Sequence, residues 1–255
     1  MKVVIIGTGN TATVLGKLIK QSAHSIIQVC GRTAEATRLL AESLDAAYVT
    51  SMKEIDPDGD LYLLAVSDNA LATIAGQFSF SSKLLVHTAG SVSIDVLKNA
   101  SRNYGVLYPL QSLRKKVESL PVVPFLVDGN TSDDLTLLYD FAKTLSPLVQ
   151  KAGDADRKKY HLAAVLVNNF SNHLYTLANN FCVGTKTDFN LLLPLIQQLP
   201  LRLHEYSPQE LQTGPAIRND QVTLDTQLTM LNDYPEIKNL YALFTKSIQE
   251  YYNRK

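Results

Sequence analysis

Between Val3 and Cys30 the chain passes through a fixed order of segments that leaves few folds open. Val3-Val4-Ile5-Ile6 is an apolar run and Gly7-Thr8-Gly9-Asn10-Thr11-Ala12 a glycine turn. Val14, Leu15, Leu18 and Ile19 then recur at helical spacing, and Ile26-Ile27-Gln28-Val29-Cys30 is a second apolar run. Strand, glycine turn, helix, strand is one βαβ unit of a dinucleotide-binding fold. Gly7 permits the tight turn off the strand, and Gly9 lets a pyrophosphate approach the backbone. Ala12, in the third small position, lets helix and strand pack closely. The first N–H groups of the helix have no partner within it and face the diphosphate. Thr8, Asn10 and Thr11 belong to the same turn and are cofactor-binding candidates with it.

The end of the second strand bears on which dinucleotide. An NAD site usually places Asp or Glu there to accept from the ribose 2′-hydroxyl. Here the sequence is Cys30-Gly31-Arg32-Thr33, with no acid before Glu35. A carboxylate would repel a 2′-phosphate, whereas Arg32 can grip it as a fork and Thr33 can donate a hydroxyl. The bland alternative is a solvated Arg32 with Thr33 as a helix N-cap. The expected cofactor is NADP(H).

Composition narrows the remaining classes. The 255 residues suffice for one large or two modest domains. Acids and bases balance at 24 each with no basic run, which argues against nucleic acid or an anionic membrane as partner. No stretch approaches the ~20 apolar residues of a bilayer span, and the amino terminus lacks a charged-then-apolar signal segment. Cys30 and Cys182 do not suggest a disulfide framework, and the histidines and cysteines show no metal spacing. The expectation is a cytoplasmic protein with no metal.

Further along, Leu61-Tyr62-Leu63-Leu64-Ala65-Val66 is apolar throughout, as in a parallel strand covered on both faces. Ligands in such sheets bind beyond the carboxyl ends of the strands, so Val66 and Ser67 should line the adenosine half of the site. The next strand ends in His87-Thr88-Ala89-Gly90-Ser91, where His87, Thr88 and Ala89 should lie near the nicotinamide. The alternative for His87 is an ordinary hydrogen-bonded group. The strand through Val106-Leu107-Tyr108 runs into a proline turn that should project Gln111 over the same rim. From Asp154 helical spacing takes over. The parsing is an α/β fold: a doubly wound, mostly parallel Rossmann sheet over residues 1–152, then an all-helical domain over 153–255, with a substrate cleft between them.

The long helix expected over residues 155–183 carries a polar row: His161, Asn168, Asn169 and Asn172 stand at offsets zero, seven, eight and eleven. On an ordinary helix His161, Asn168 and Asn172 share one face, with Asn169 at its edge. Leu162 to Val167 around them read as a buried segment, where polar groups need partners. A substrate is one candidate and neighbouring helices are the other. Histidine suits proton transfer near neutral pH, so His161, Asn168 and Asn172 are the catalytic candidates. Asn169 joins the substrate-binding candidates, with Gln111 and with Arg218 and Asp220 from the Gly214-Pro215 turn. The alternative for Asp220 is a helix cap.

Taken together, Gly7-Thr8-Gly9-Asn10, Cys30-Gly31-Arg32-Thr33, Ala65-Val66-Ser67-Asp68, His87-Thr88-Ala89-Gly90-Ser91, Tyr108-Pro109-Leu110-Gln111, Tyr160-His161-Leu162-Ala163-Ala164 with Asn168-Asn169, and Gly214 to Asp220 resemble a family of bacterial oxidoreductases. These have a Rossmann-like domain followed by a helical domain of unknown function. In layout the family is similar to pyrroline-5-carboxylate reductases and to 6-phosphogluconate and β-hydroxyacid dehydrogenases. The resemblance implies an NAD(P)-linked enzyme, often dimeric through its helical domain, and no particular substrate. One departure matters. β-Hydroxyacid dehydrogenases carry a lysine three residues before the paired asparagines, where this chain has Val165. His161, about one turn earlier, is the nearest replacement. The expectation is an NADP-dependent reductase or dehydrogenase acting on a small carbonyl or imine. A non-catalytic NADP(H) sensor or scaffold is the rival, and a homodimer is expected in either case.

Overall fold

The computed structural model describes residues 1–116 and 119–252. It divides into two compact units, Met1–Asn168 and Asn169–Lys255. The first is an 8-stranded sheet in the order β3-β2-β1-β4-β5-β6-β7-β8. Its strands are β1 (Lys2–Ile6), β2 (Ser25–Cys30), β3 (Ala47–Val49), β4 (Leu61–Leu64), β5 (Phe80–His87), β6 (Ser101–Pro109), β7 (Phe125–Gly129) and β8 (Val149–Lys151). Neighbours pair in parallel except β6 with β7. The reversal of strand order beside β1 opens a crevice at the carboxyl rim, and the glycine turn sits at that point.

The two-residue period of β1 explains the double winding. Val3 and Ile5 enter one core with α1 (Asn10–Lys20), α2 (Ala34–Ser43) and α4 (Ser132–Leu145). Val4 and Ile6 enter a second core with α3 (Asp68–Ala75). All four are at most 2% exposed, so the strand has no solvated face and its apolar run needs no alternation. Helix α4 begins at Thr131, whose hydroxyl oxygen accepts the Asp134 N–H at 3.1 Å. That is the side-chain cap expected of a threonine before a helical period.

Helix α5 (Asp154–Ala164) also belongs to the first unit. The sequence sets the domain boundary before this helix; the compact units part after it, at Asn168. The reason is Arg157. Its guanidinium is fully buried and donates to the Val92 carbonyl at 2.6 Å, which ties α5 to the loop beyond β5. After Ala164 the chain winds into a wider π turn over Val165–Phe170 and continues as α6 (Ser171–Thr185).

The second unit holds α6, α7 (Leu193–Arg202), α8 (Gln221–Met230) and α9 (Pro235–Tyr252). Within it a cavity of about 690 Å³ opens among Leu177, Phe181, Leu224, Met230, Leu240 and Phe244. Among the described residues no helix is long and apolar enough to cross a membrane.

Candidate functional site at the carboxyl rim of the sheet

Gly7 leaves β1 with φ +120°, a conformation that side-chain-bearing residues rarely adopt. Its N–H donates to the Cys30 carbonyl at 2.8 Å, and a Cβ there would run into the Ala65 carbonyl. Glycine is therefore required twice, for the turn and for the close approach of β1 to the end of β4. Gly9 occupies the N-cap of α1, and a Cβ at Gly9 would meet nothing within 4 Å. The helix start has no side-chain cap and no acidic residue in its first turn. Its exposed N–H groups and positive dipole end suit an anion. Ala12 is 0% exposed beneath the turn, as its role in helix–strand packing requires. The Asn10 side chain is taken up elsewhere, accepting the Lys115 N–H at 3.2 Å.

Above this turn lies a cavity of about 390 Å³ whose walls include Thr8, Gly9, Gly31, Arg32, Val66 and Ser67. Arg32 is exposed and makes no ion pair among the described residues. Glu35, the nearest acid in sequence, is held by Arg38 at 3.0 Å. Thr33 and Ser67 stand at the N-caps of α2 and α3, yet neither side chain makes a capping bond. An uncapped helix end beside an unpaired arginine fits a dinucleotide that carries an extra phosphate.

Farther along the rim the loop after β5 turns over the end of β6. His87 is 0% exposed, and its Nδ1 accepts the Ala89 N–H at 3.1 Å. Burial, with the nearby Arg157 charge, lowers its pKa to about 4, so the ring is neutral. Its Nε2 has no hydrogen-bond partner among the described residues. The imidazole of His87, a residue expected near the nicotinamide, is turned into the protein beneath the turn. Thr88 is also buried, and its hydroxyl reaches the Leu64 carbonyl at 3.4 Å. Ala89 is 7% exposed.

On the same rim Tyr108 Oη lies 2.9 Å from His161 Nδ1, with the rings edge to face at 71°. Gly90 packs on this pair, since a Cβ there would come within 2.7 Å of Tyr108 Cζ and 2.9 Å of His161 Nδ1. Burial, and to a lesser extent the charge of Asp68, pushes the Tyr108 phenol up, so it keeps its proton near neutral pH. Asp68 accepts the Ser91 hydroxyl at 2.6 Å. Arg157 stands one helical turn before His161, donating to Asp154 Oδ1 at 2.6 Å as well as to Val92. Its Nε and Nη1 are buried without hydrogen-bond partners among the described residues, and Nη1 lies 3.9 Å from Asp128 Oδ2 as an ion pair.

The polar row of the long helix does not form as drawn. Asn168 lies inside the π turn, where the seven-residue return to the His161 face no longer applies. Asn169 and Asn172 belong to the second unit, and all three amides are exposed. The segment expected to be buried is also open, with Leu162 at 62%, Leu166 at 53% and Val167 at 75% exposure.

Gln111 is exposed, and its amide oxygen accepts the Ser112 N–H at 2.9 Å. Arg218 is exposed in the second unit. Asp220 caps α8, taking the Thr223 N–H at 3.2 Å and hydroxyl at 2.7 Å, so both its oxygens are engaged. The sequence assigned no role to Tyr108 or Arg157. The spacing of Arg157 to His161, one helical turn, was the signal available for the last.

The fold and the glycine-turn site define a Rossmann-type oxidoreductase, and the comparisons carry this further. Residues 2–91 match the domain described as NADP oxidoreductase, coenzyme F420-dependent. Residues 123–248 match the domain of unknown function DUF2520. A Bacteroides fragilis protein named a "putative NADP oxidoreductase" is 38% identical, with 98% of each chain covered and a TM-score of 0.89. The chain belongs to this family of NADP oxidoreductases, in which a Rossmann domain precedes DUF2520. More distant structures share the fold. The 1-pyrroline-5-carboxylate reductase of Streptococcus pyogenes is 16% identical over 98% of each chain, with a TM-score of 0.67. The reductive aminase of Aspergillus terreus, solved with NADPH and ethyl-5-oxohexanoate, is 16% identical over 98% of this chain and 94% of its own, with a TM-score of 0.72. No curated protein matches the chain in sequence.

Proposed function

We propose that the chain is an NADPH-dependent reductase of a small carbonyl or imine compound, with its chemistry at the β5–β6 end of the rim. The observation that carries this reading is the uncapped α1 N-terminus beside unpaired Arg32, on the same sheet edge as the Tyr108–His161 pair. Gly7, Thr8, Gly9 and the first N–H groups of α1 would hold the diphosphate, Arg32 and Thr33 the 2′-phosphate, and Val66 and Ser67 the adenosine side. When bound, the dihydronicotinamide supplies the hydride. His161 hydrogen-bonds the substrate heteroatom and supplies the proton, which solvent replaces. The small Ala89 and Gly90 bring the loop after β5 close against Tyr108 and His161.

The fold shared with a 1-pyrroline-5-carboxylate reductase and a reductive aminase supports the substrate class. Calorimetry with NADPH and NADH tests the binding half of the reading; absence of heat with both sinks it. Loss of NADPH absorbance against a panel of keto acids and cyclic imines tests the chemical half. Binding with no turnover across the panel favours a sensor or scaffold instead.

We further propose that two copies associate through the helical unit. Apolar side chains of α6, α7 and α9 face solvent in a single copy, including Leu195, Leu199, Leu201, Leu243 and Phe244. An apolar cavity lies in the same unit as these ridges, so one copy offers both halves of a self-complementary interface. The free, buried state of Cys30 and Cys182 suits a reducing compartment such as the cytoplasm.

A further inference from the structure

We propose that Tyr108 is a positioning residue that occupies His161 Nδ1, sets the resting tautomer as Nε2–H, and so reserves Nε2 for the substrate heteroatom. The inference rests on the reading of His161 as the proton-handling group and adds which nitrogen acts and what holds it there.

Three observations carry it. Tyr108 Oη and His161 Nδ1 are 2.9 Å apart, and neither side chain makes any other hydrogen bond among the described residues. The direction of that bond follows from the chemistry of its two atoms. An sp² imidazole nitrogen is a far stronger base than a phenol oxygen, whose lone pair is drawn into the ring, so the phenol donates and Nδ1 accepts. The reverse arrangement would spend a basic nitrogen as a donor and leave the phenol proton without an acceptor. With Nδ1 engaged, the neutral ring carries its proton on Nε2. A neutral imidazole N–H aimed at a carbonyl or imine heteroatom stabilises the negative charge that builds there during reduction.

The second observation is Gly90. Any side chain at this position would press on both Tyr108 Cζ, at 2.7 Å, and His161 Nδ1, at 2.9 Å. The loop therefore approaches the contact atoms of the pair and holds the two rings at 71° with centroids 5.9 Å apart. The third is Arg157. Through Val92 and Asp154 it fixes both that loop and the start of the helix that carries His161. Loop, strand end and helix are thus pinned to one another around a single hydrogen bond.

The test reads the tautomer directly and needs neither cofactor nor substrate. In ¹⁵N-histidine-labelled full-length protein at a pH where the ring is neutral, the His161 signals are assigned by their loss in His161→Gln. The expected spectrum shows a bare Nδ1 and a protonated Nε2. Tyr108→Phe should convert it to a mixture of tautomers, and Gly90→Ala should do the same by parting the rings. A wild-type spectrum with the proton on Nδ1 overturns the proposal even if neither variant folds. So does a Tyr108→Phe spectrum identical to the wild type. With a substrate in hand, Tyr108→Phe should lower kcat by about 10–100-fold and leave the NADPH KM within about twofold. Failure of NADPH to bind would remove the proposed reaction and leave the tautomer result standing, so the two can fail separately.

Discussion

The two units of this protein bury their apolar residues on different terms. In the first, β1 is sealed on both faces, and residues as large as Tyr62, Phe125 and Ile19 are fully enclosed. In the second, Leu177, Cys182, Ala216, Leu224 and Leu231 are the buried apolar residues among those described, while Leu191, Leu195, Leu201 and Val222 stand at 66% exposure or more. The sheet domain completes its core within one copy. The helical unit has the residues of a core without the enclosure. Amphipathic spacing shows which face of a helix must be covered, but not whose chain covers it.

The largest expected effect would break this contrast outright. Leu195→Asp with Leu201→Asp places charge on side chains of α7 that a single copy leaves 66% and 67% exposed, and in a monomer such surface changes cost within about ±0.5 kcal/mol. On the dimer reading they should reduce the sedimenting species to one chain; an unchanged sedimentation coefficient would remove that face from the interface. Next in size is His161→Gln, expected to lower turnover by about 10²–10³-fold with NADPH affinity preserved. That result would locate the proton chemistry in the self-sufficient unit, and unaltered turnover would move it elsewhere.

The third prediction sharpens the claim that the first unit is closed. Folded His87 binds its proton at about 4, whereas an unfolded chain binds it near the ordinary histidine value of 6.5. Between those values the unfolded state holds more protons, so stability falls as pH drops from about 6.5 to 4, by up to about 3 kcal/mol. Urea unfolding at pH 7.5 and pH 5 measures the slope, and His87→Asn should flatten it. The smallest effect is Arg32→Ala. It should weaken NADPH by about 10–100-fold, the range set by hydrogen bonds to charged groups, and leave NADH nearly unaltered in calorimetry.

Much of the first unit could be read along the chain because its signals are local. The apolar run of β1, the turn at Gly7 and Gly9 and the switch to helical spacing each declare themselves within a few residues. What escaped depends on burial set by distant residues. His87 looked available at a strand end, yet the Ala89 N–H and the surrounding core turn it inward. Arg157 sits in Asp154-Ala155-Asp156-Arg157-Lys158-Lys159, which reads as a solvated charged stretch, and only the Val92 carbonyl reveals its burial. The asparagine row failed because a π turn, with no sequence signature of its own, displaced Asn168 from the expected face.

The clasp of Arg38 on Glu35 and Glu42, at 3.0 and 2.6 Å, has a bearing on coenzyme choice that Arg32 alone does not exhaust. Discrimination at such a pocket depends on which anion is kept away as well as on which cation is offered. A leash on Glu35, the nearest acid in sequence, goes with an Arg32 guanidinium that makes no ion pair among the described residues. On this view, re-engineering the protein toward the unphosphorylated coenzyme begins by cutting that leash at Arg38.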